Sequence, residues 1–277
     1  SAKCLKLANQ LKLLIHPSNS DSLIKRSKLL LLESNKANLN FKKQKNNPQS
    51  IFIVGMPRSG TTLTESIISM NSKVFDLGEI NAFDRSFKEW KEKKGKIDLF
   101  DLYMQRINKK RKSNITINKW LYNYQYAGII SSQIPNSKII HCYRNPLDNI
   151  LSIFRANFTK GNEYSCSLVD CAIIYLDQKR VMDEYKIRFQ ENIYDLNYDL
   201  LVKNPVEEIK LLINWLGWEW NESYLSPHLN KRAVCTASNV QVRSEINSKS
   251  VGGWKNYKEM LKPAFEILTQ DGEYKDL

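Results

Sequence analysis

A glycine-cornered loop with an arginine and two threonines is the part of the sequence best suited to chemistry. The stretch GMPRSGTTL spans residues 55–63, and its two glycines keep the spacing of the triphosphate loop G-x-x-x-x-G-K-[ST]. Thr61 stands where that loop has its lysine, so Arg58 is the nearby cation. Such a loop directs backbone N–H groups and a helix N-terminus at an anion. Without the lysine it suits a smaller anion, such as one phosphate, rather than a triphosphate with Mg²⁺.

Two strand–helix units must position this loop and a second basic motif. The apolar run SIFIVG precedes the loop, and TTLTESIISM follows it with helical spacing. The run NSKIIHCYR predicts a second buried strand, and NPLDNILSIFRANF predicts the helix after it. Further strand and helix patterns follow up to about residue 218. This alternation predicts an α/β fold with a P-loop-like, mostly parallel sheet and helices on both faces, with ligands at the carboxyl ends of the strands.

The N-terminal part of the chain has a different composition. Residues 1–45 are rich in lysine and leucine, and Leu7, Leu11, Leu14 and Ile15 form one helical stripe. A second helix is predicted in SDSLIKRSKLLLLES, and a polar linker follows it. We therefore predict a helical appendage and linker over residues 1–45 and one large domain over residues 46–277.

Bulk composition narrows the classes of protein. The 277 residues are 42% hydrophobic and 26% charged, as in an ordinary globular protein, but the net charge is +13. Such an excess favours nucleic acid, acidic lipid, phosphorylated cofactors or acidic acceptors, unless it only keeps the surface soluble. The five cysteines include no C-x-x-C pair, which argues against a disulfide framework or a structural zinc site. No run approaches the roughly 18 apolar residues of a membrane span, and no signal peptide is recognisable, so we expect a cytoplasmic location.

The loop resembles that of a known family. FIVGMPRSGTTL is similar to the 5′-phosphosulfate loop of sulfotransferases that use 3′-phosphoadenosine 5′-phosphosulfate (PAPS). The likeness is closest to tyrosylprotein sulfotransferases and the related bacterial sulfotransferases, which often follow helical repeats, and it covers about residues 50–270. It implies that the donor's 5′-phosphate is held by the loop residues Arg58, Ser59, Gly60, Thr61 and Thr62.

A second motif of the same resemblance is YRNPLDNILS. The family holds the donor's 3′-phosphate with an arginine at a strand end and a serine eight residues later, which here are Arg144 and Ser152. Arg144 leaves the strand at its carboxyl end, and Ser152 lies about two turns into the next helix. Both side chains can therefore face the same crevice.

The resemblance also places the catalytic base in DLGEINAF, at Glu79. Attack on sulfur requires a hydroxyl to lose its proton, and a nearby carboxylate can accept it. Cytosolic sulfotransferases use a histidine for this role, and this chain has His16, His141 and His228. His141 falls in a predicted buried strand, and the other two lie in the N-terminal helices and a late loop, so Glu79 is the preferred base.

A lysine in ITINKWLYN completes the implied chemistry. The resemblance matches Lys119 to a family lysine, although the following Trp120 departs from the family pattern. A cation is needed where negative charge grows on the leaving oxygen, and a lysine can also donate a proton to it.

The last similar segments concern the adenine and a closing loop. Tyr198, in NYDLLVKNP, matches a family tyrosine that meets the adenine, and Thr236 and Ser238 match a segment that lines the adenine site. Ser248 and Lys249, in SKSVGGWKNY, lie where relatives have a loop over the 3′-phosphate. The arginine usual in that loop is absent, so Lys249 is expected to act there as a point charge.

The favoured hypothesis is transfer of a sulfuryl group from PAPS to an acceptor hydroxyl, without a metal and without nucleic acid as a partner. The acceptor stays open between an acidic tyrosine-containing peptide, a glycan and a small alcohol, and the basic composition favours an acidic one. A P-loop kinase or nucleotidase is the alternative enzyme, but it requires the missing lysine. A non-catalytic nucleic-acid-binding module is the third reading, indicated only by the charge.

Overall fold

Parallel strands form the centre of the molecule. The computed structural model describes residues 2–36, 47–108, 113–158, 161–230 and 241–275, and in these ranges five strands make one sheet in the order β2-β3-β1-β4-β5. Every pair of neighbours in the sheet is parallel. The predicted α/β fold with a mostly parallel sheet is therefore confirmed. The strands are β1 (Gln49–Gly55), β2 (Val74–Asp76), β3 (Ile115–Asn118), β4 (Ser137–Tyr143) and β5 (Ile193–Asn197).

The two central strands come from the two apolar runs of the sequence. Strand β1 is buried from Ser50 to Gly55, as expected for a strand covered on both faces. It pairs with β4 from Ser50 opposite Ser137 to Gly55 opposite Cys142. The residues that leave β1 and β4 at their carboxyl ends therefore lie side by side.

Helices cover both faces of the sheet. On one face, Phe52, Val54 and Ile139 pack in a core with residues of α2, α4, α5, α6 and α8. On the other face, Ile51 and Ile140 pack in a core with residues of α3, α9 and α10. The helices are α1 (Ala2–Ile15), α2 (Ser20–Lys36), α3 (Thr61–Ile68), α4 (Ala82–Glu92), α5 (Leu99–Asn108), α6 (Ala127–Gln133), α7 (Pro146–Arg155), α8 (Leu168–Phe189), α9 (Tyr198–Lys203), α10 (Pro205–Trp215) and α11 (Lys258–Leu268).

The second helix packs on the sheet-bearing part of the chain. Leu30 of α2 is buried in the core that α8 shares with the sheet. The amide of Gln125 donates to the Leu23 carbonyl at 3.0 Å and to the Ser27 hydroxyl at 3.1 Å. Helix α2 is thus held by both apolar and polar contacts. The division of the chain at residue 46 into two units stays a prediction.

The first helix does not bury the stripe that its sequence displays. The predicted helix is present as α1, but its four stripe residues, Leu7, Leu11, Leu14 and Ile15, are 52–81% exposed. The helix packs instead through Ala2 and Leu5, and the amide of buried Asn9 donates to the Phe154 carbonyl at 2.9 Å. Apolar periodicity alone therefore indicates the wrong face of α1. In the part of the chain that the structure describes, no helix is both long and apolar enough to cross a membrane.

Candidate active site

The glycine loop joins the carboxyl end of β1 to the start of α3, and both of its glycines are required by close contacts. Gly55 has a φ of 147°, and a Cβ there would lie 2.3 Å from the Cys142 carbonyl oxygen. Gly60 has a φ of 100°, and a Cβ there would lie 2.5 Å from Cδ2 of Tyr198. Any side chain at either position would therefore push the loop away from β4 or from Tyr198.

Arg58 leaves this loop in a left-handed conformation, with a φ of 68°. Its Nε donates to the hydroxyl of Ser152 on α7 at 3.1 Å, so the two predicted phosphate motifs meet. Burial lowers the pKa of Arg58, and the positive charge of Arg144 lowers it further, while Tyr198 opposes these effects. The guanidinium nevertheless stays charged at any physiological pH. Two cations brought this close are favourable where an anion lies between them.

Arg144 lies just past the carboxyl end of β4 and is only 6% exposed. Its Nη2 donates to the Ser250 carbonyl at 2.8 Å, and its Nη1 lies 3.5 Å from the Arg58 carbonyl. The guanidinium stacks 4.6 Å from the centre of the Tyr198 ring. Its buried Nε makes no hydrogen bond, although carboxylate oxygens of Asp199 and Asp148 lie 3.9 and 3.8 Å from the guanidinium. The Nε donor can therefore still accommodate an oxygen acceptor at hydrogen-bond distance.

A carboxylate on α7 fixes the chain segment that covers Arg144. The buried Asp148 accepts from the backbone N–H of Gly252 at 2.6 Å and of Trp254 at 2.9 Å. The Tyr198 hydroxyl lies 2.9 Å from the Ser250 hydroxyl. Residues 250–254, which we name the cover segment, are thus tied to α7 and α9 beside the loop.

The second part of the site is a lysine flanked by two carboxylates. Lys119 directly follows β3 and is 1% exposed. Its ammonium contacts Oε1 of Glu79 and lies 3.7 Å from Oε2 of Glu65. The Glu79 side chain is 43% exposed, whereas that of Glu65 is 2% exposed. Glu79 is therefore the carboxylate that a molecule from solvent can reach.

Backbone contacts hold Glu79 and Lys119 together independently of their side chains. The N–H of Lys119 donates to the Gly78 carbonyl at 3.1 Å. Gly78 has a φ of 71°, and its N–H donates to the Asp76 carboxylate at 2.7 Å. At the end of β3, the side-chain oxygen of Asn118 accepts a hydrogen bond from the backbone N–H of Trp120 at 3.0 Å. Two turns at the ends of neighbouring strands thus present the acid and the base to each other.

The structure brings together most of the predicted site residues. The loop residues Ser59, Thr61 and Thr62 are buried, and the Ser59 hydroxyl has no hydrogen-bond partner. Ser248 and Lys249 are exposed, and the neighbouring Ser250 makes the contacts with the arginine and the tyrosine. Thr236 and Ser238 lie outside the described residues.

Three residues of the site were not among the predicted ones: Asp148, Ser250 and Glu65. The sequence contains a signal for Asp148. It lies four residues after Arg144, so at the start of α7 the two side chains lie on the same side and can pair. For Glu65, the signal is a carboxylate within the otherwise apolar and small-residue helix TTLTESII. The sequence offers no signal for Ser250 beyond its neighbours.

Of the three histidines, His141 lies within the sheet. Nδ1 of the buried His141, on β4, lies 2.8 Å from the carboxylate of Asp195 on β5, so it packs within the sheet as expected. Burial raises the pKa of Asp195, but the contacts with His141 and Lys186 outweigh it and hold the pKa at about 2. No group of three or more His, Cys, Asp and Glu side chains suited to a metal ion occurs in the described ranges.

Comparison with known proteins places this geometry in a family. The model of the sulfotransferase family matches residues 48–102 and 96–222. This chain belongs to the sulfotransferase family. The match covers the glycine loop, Glu79, Lys119, the Arg144–Ser152 motif and Tyr198, which are the parts of the site described above.

A relative and several solved structures resemble this chain. An uncharacterized protein of Aquifex aeolicus (strain VF5) is 32% identical over a match 244 positions long, which covers 79% of this chain and 32% of that protein. The chain thus spans about a third of the length of this relative.

Among solved structures, the sulfotransferase domain of the Synechococcus PCC 7002 olefin synthase has a TM-score of 0.58 at 16% identity, over 83% of this chain and 98% of that one. The sulfotransferase domain of the curacin biosynthetic pathway has a TM-score of 0.56 at 17% identity, over 81% and 98%. Mouse sulfotransferase SULT7A1, solved in complex with PAP (adenosine 3′,5′-bisphosphate), has a TM-score of 0.50 at 18% identity, over 91% of this chain and 92% of that one. These likenesses show the sulfotransferase fold.

Proposed function

We propose that this chain transfers the sulfuryl group of PAPS to the hydroxyl of an acceptor by in-line displacement. The observation that carries the proposal is the buried Arg144, whose Nε makes no hydrogen bond, next to a phosphate loop that has no lysine. PAP, which the mouse relative binds, has a 3′-phosphate and a 5′-phosphate on one adenosine. A single ligand of that kind would meet both anion sites.

The residues present fit such a donor. Loop residues 58–62 and the start of α3, where no side chain caps the helix, would hold the 5′-phosphate. Arg144 and Ser152 would hold the 3′-phosphate, with the cover segment beside it. Tyr198, whose ring already stacks on Arg144, lies next to both and is placed to contact the adenosine. We further propose that this set needs no metal, because Arg58 and Arg144 supply the positive charge.

The chemical roles follow from the exposure of the charged groups. When bound, the donor supplies an activated sulfuryl group. Glu79 is the accessible carboxylate and is proposed to accept the proton of the attacking hydroxyl. Lys119 is buried beside it and is proposed to stabilise the bridging oxygen, which would stay on the 5′-phosphate of PAP and gain negative charge as its bond to the sulfuryl sulfur breaks. Glu79 must exchange its contact with Lys119 for the acceptor hydroxyl.

The acceptor class is proposed to be a protein tyrosine or a glycan hydroxyl. The net charge of +13 favours an acidic molecule, since an anionic acceptor is attracted to a basic surface. This part of the proposal concerns the chain described here, which spans only part of its longer relative.

Ligand-dependent stability tests the donor. At one hundred times its dissociation constant, PAP should stabilise the fold by about 2.7 kcal/mol through linkage, or about 5–10 °C in Tm. AMP lacks the 3′-phosphate and should shift the Tm much less, and Mg²⁺ should change neither result. Equal shifts with PAP and AMP, or none with either, would overturn the donor assignment.

Transfer itself is tested with radiolabelled PAPS and a panel of acidic tyrosine peptides, sulfatable glycans and simple phenols. With the unmodified chain, label should appear on at least one hydroxyl acceptor. With the Glu79→Gln, Lys119→Met double variant, no acceptor should become labelled. Magnesium-dependent release of phosphate from ATP, without PAPS-dependent labelling, would favour a kinase or nucleotidase instead.

A further inference from the structure

The mechanism above leaves the buried carboxylate of Glu65 unused. Glu65 lies on α3, one turn after Thr61, and is 2% exposed. Its Oε2 lies 3.7 Å from the Lys119 ammonium, which also forms an ion pair with Glu79. One buried ammonium therefore has two carboxylate neighbours of very different accessibility.

These two carboxylates cannot serve the reaction in the same way. Glu79 contacts solvent and becomes neutral when it takes the proton of the acceptor. When Glu79 turns from Lys119 to the acceptor hydroxyl, before charge has developed on the leaving oxygen, the ammonium loses its nearer carboxylate while it is still enclosed by protein. A buried ammonium without a counter-charge is strongly unfavourable. Glu65 is the remaining carboxylate within ion-pair distance in the described part of the chain.

We propose that Glu65 is a positioning residue of sulfuryl transfer, which holds the Lys119 ammonium in place while Glu79 leaves it for the acceptor hydroxyl. This inference rests on the proposed function. Glu65 acts through Lys119 and touches neither donor nor acceptor.

The placement of Glu65 also connects Lys119 to the donor loop. The N–H of Thr64 donates to the Gly60 carbonyl at 3.0 Å, and its hydroxyl donates to the same oxygen at 3.1 Å. The first turn of α3 is thus fixed to the loop that is proposed to hold the 5′-phosphate. Glu65 is carried by this helix, so it sets the position of Lys119 relative to the donor. A displacement of about 1 Å at such a position can cost about a hundredfold in rate.

The test compares three variants of the full chain: Glu65→Gln, Glu65→Asp and the control Glu208→Gln. Glu208 lies on α10, so the control substitution also removes one glutamate charge, but not one that pairs with Lys119. PAP affinity is measured by calorimetry. Turnover is measured as PAP released from radiolabelled PAPS, with the acceptor found in the panel above and with water alone.

We expect Glu65→Gln to lower kcat by about 10–100-fold, while the Kd of PAP and the KM of PAPS change less than about threefold. Glu65→Asp retains the charge on a shorter side chain and should recover part of the loss. Glu208→Gln should behave as the unmodified chain. PAP binding and an unchanged circular dichroism spectrum establish that each variant is folded. If Glu65→Gln fails to fold, the Glu65→Asp variant carries the same comparison of kcat with Kd.

The outcomes separate this inference from the function on which it rests. If the unmodified chain neither binds PAP nor releases it from PAPS, the proposed function is wrong. If it does both and the folded Glu65 variants keep the full kcat, only the positioning role is wrong. Loss of PAP affinity in proportion to kcat would assign Glu65 to the structure of the donor loop and would likewise overturn that role.

Discussion

Replacing Gly60 by alanine should destabilise the fold by two separable effects. The φ of 100° places the residue in a left-handed region, where an alanine costs about 1–2 kcal/mol. Its Cβ would also lie 2.5 Å from Cδ2 and 3.2 Å from Cγ of Tyr198, and relief of such overpacking costs about 1–3 kcal/mol. We therefore expect Gly60→Ala to lower the free energy of unfolding by about 2–5 kcal/mol.

Gly217→Ala is the matched control for the backbone effect. Gly217 has a φ of 74°, and no atom lies within 4 Å of a Cβ built there. It should therefore cost only the left-handed strain, about 1–2 kcal/mol. Both changes also restrict the unfolded chain to the same extent, so that contribution cancels in the comparison.

Urea denaturation gives the free energy of unfolding of Gly60→Ala and of Gly217→Ala. Each substitution is measured in the unmodified chain and in a chain that also carries Tyr198→Ala. The excess cost of Gly60→Ala over Gly217→Ala should fall to less than about 0.5 kcal/mol when the ring is absent. Gly60→Ala should also weaken PAP binding, because a displaced ring no longer supports Arg144, which it contacts at 4.6 Å. Equal destabilisation by the two alanines, or an excess that persists without Tyr198, would refute the contact as its cause.

Two further predictions concern charge. Glu79→Gln should lower turnover by about 10²–10⁴-fold with PAP affinity nearly unchanged, and a fully active variant would show that another group takes the proton. Asp195 has a pKa of about 2 in the folded chain, below its ordinary 3.8, so its stabilisation is complete above the ordinary value and is lost as the pH falls through about 2. Because the side chain is about a third exposed, we expect a contribution of about 1–2 kcal/mol, and Asp195→Asn should flatten acid unfolding curves between pH 4 and 2 relative to Asp101→Asn, which removes an exposed aspartate of α5.

The loop and the two central strands were predictable because each is encoded in one short stretch. The apolar runs of β1 and β4 are continuous, and the loop between β1 and α3 has glycines where contacts demand them. The resemblance to sulfotransferases implied the pair Arg144 and Ser152, and helical spacing allows both side chains to face one crevice. Local pattern and tertiary structure agree in these segments, so the sequence sufficed.

Other parts depend on contacts with residues far along the chain. The path of the cover segment is set by Asp148, about a hundred positions earlier. The resemblance indicated Ser248 and Lys249, and the structure shows that the neighbouring Ser250 contacts Arg144 and Tyr198. Helices α4 and α5 were not predicted. In α4, the lysines and glutamates of residues 88–92 obscure the aromatic face, with Phe83 and Phe87, that packs in the core on the sheet. Helix α1 attaches in part through Asn9, which a hydrophobic pattern cannot reveal.

The packing of α2 has a consequence for how the chain is made. A ribosome synthesises α2 before the sheet, yet α2 packs on α8, which begins only at Leu168. At about 5–20 residues per second, roughly 130 residues of synthesis leave α2 without that partner for about 7–25 s. The apolar face of α2, with Leu30, lacks the contacts with α8 throughout that time. Expression at lower temperature lengthens this interval, whereas a fusion partner or chaperone that shields α2 should increase the yield of folded chain.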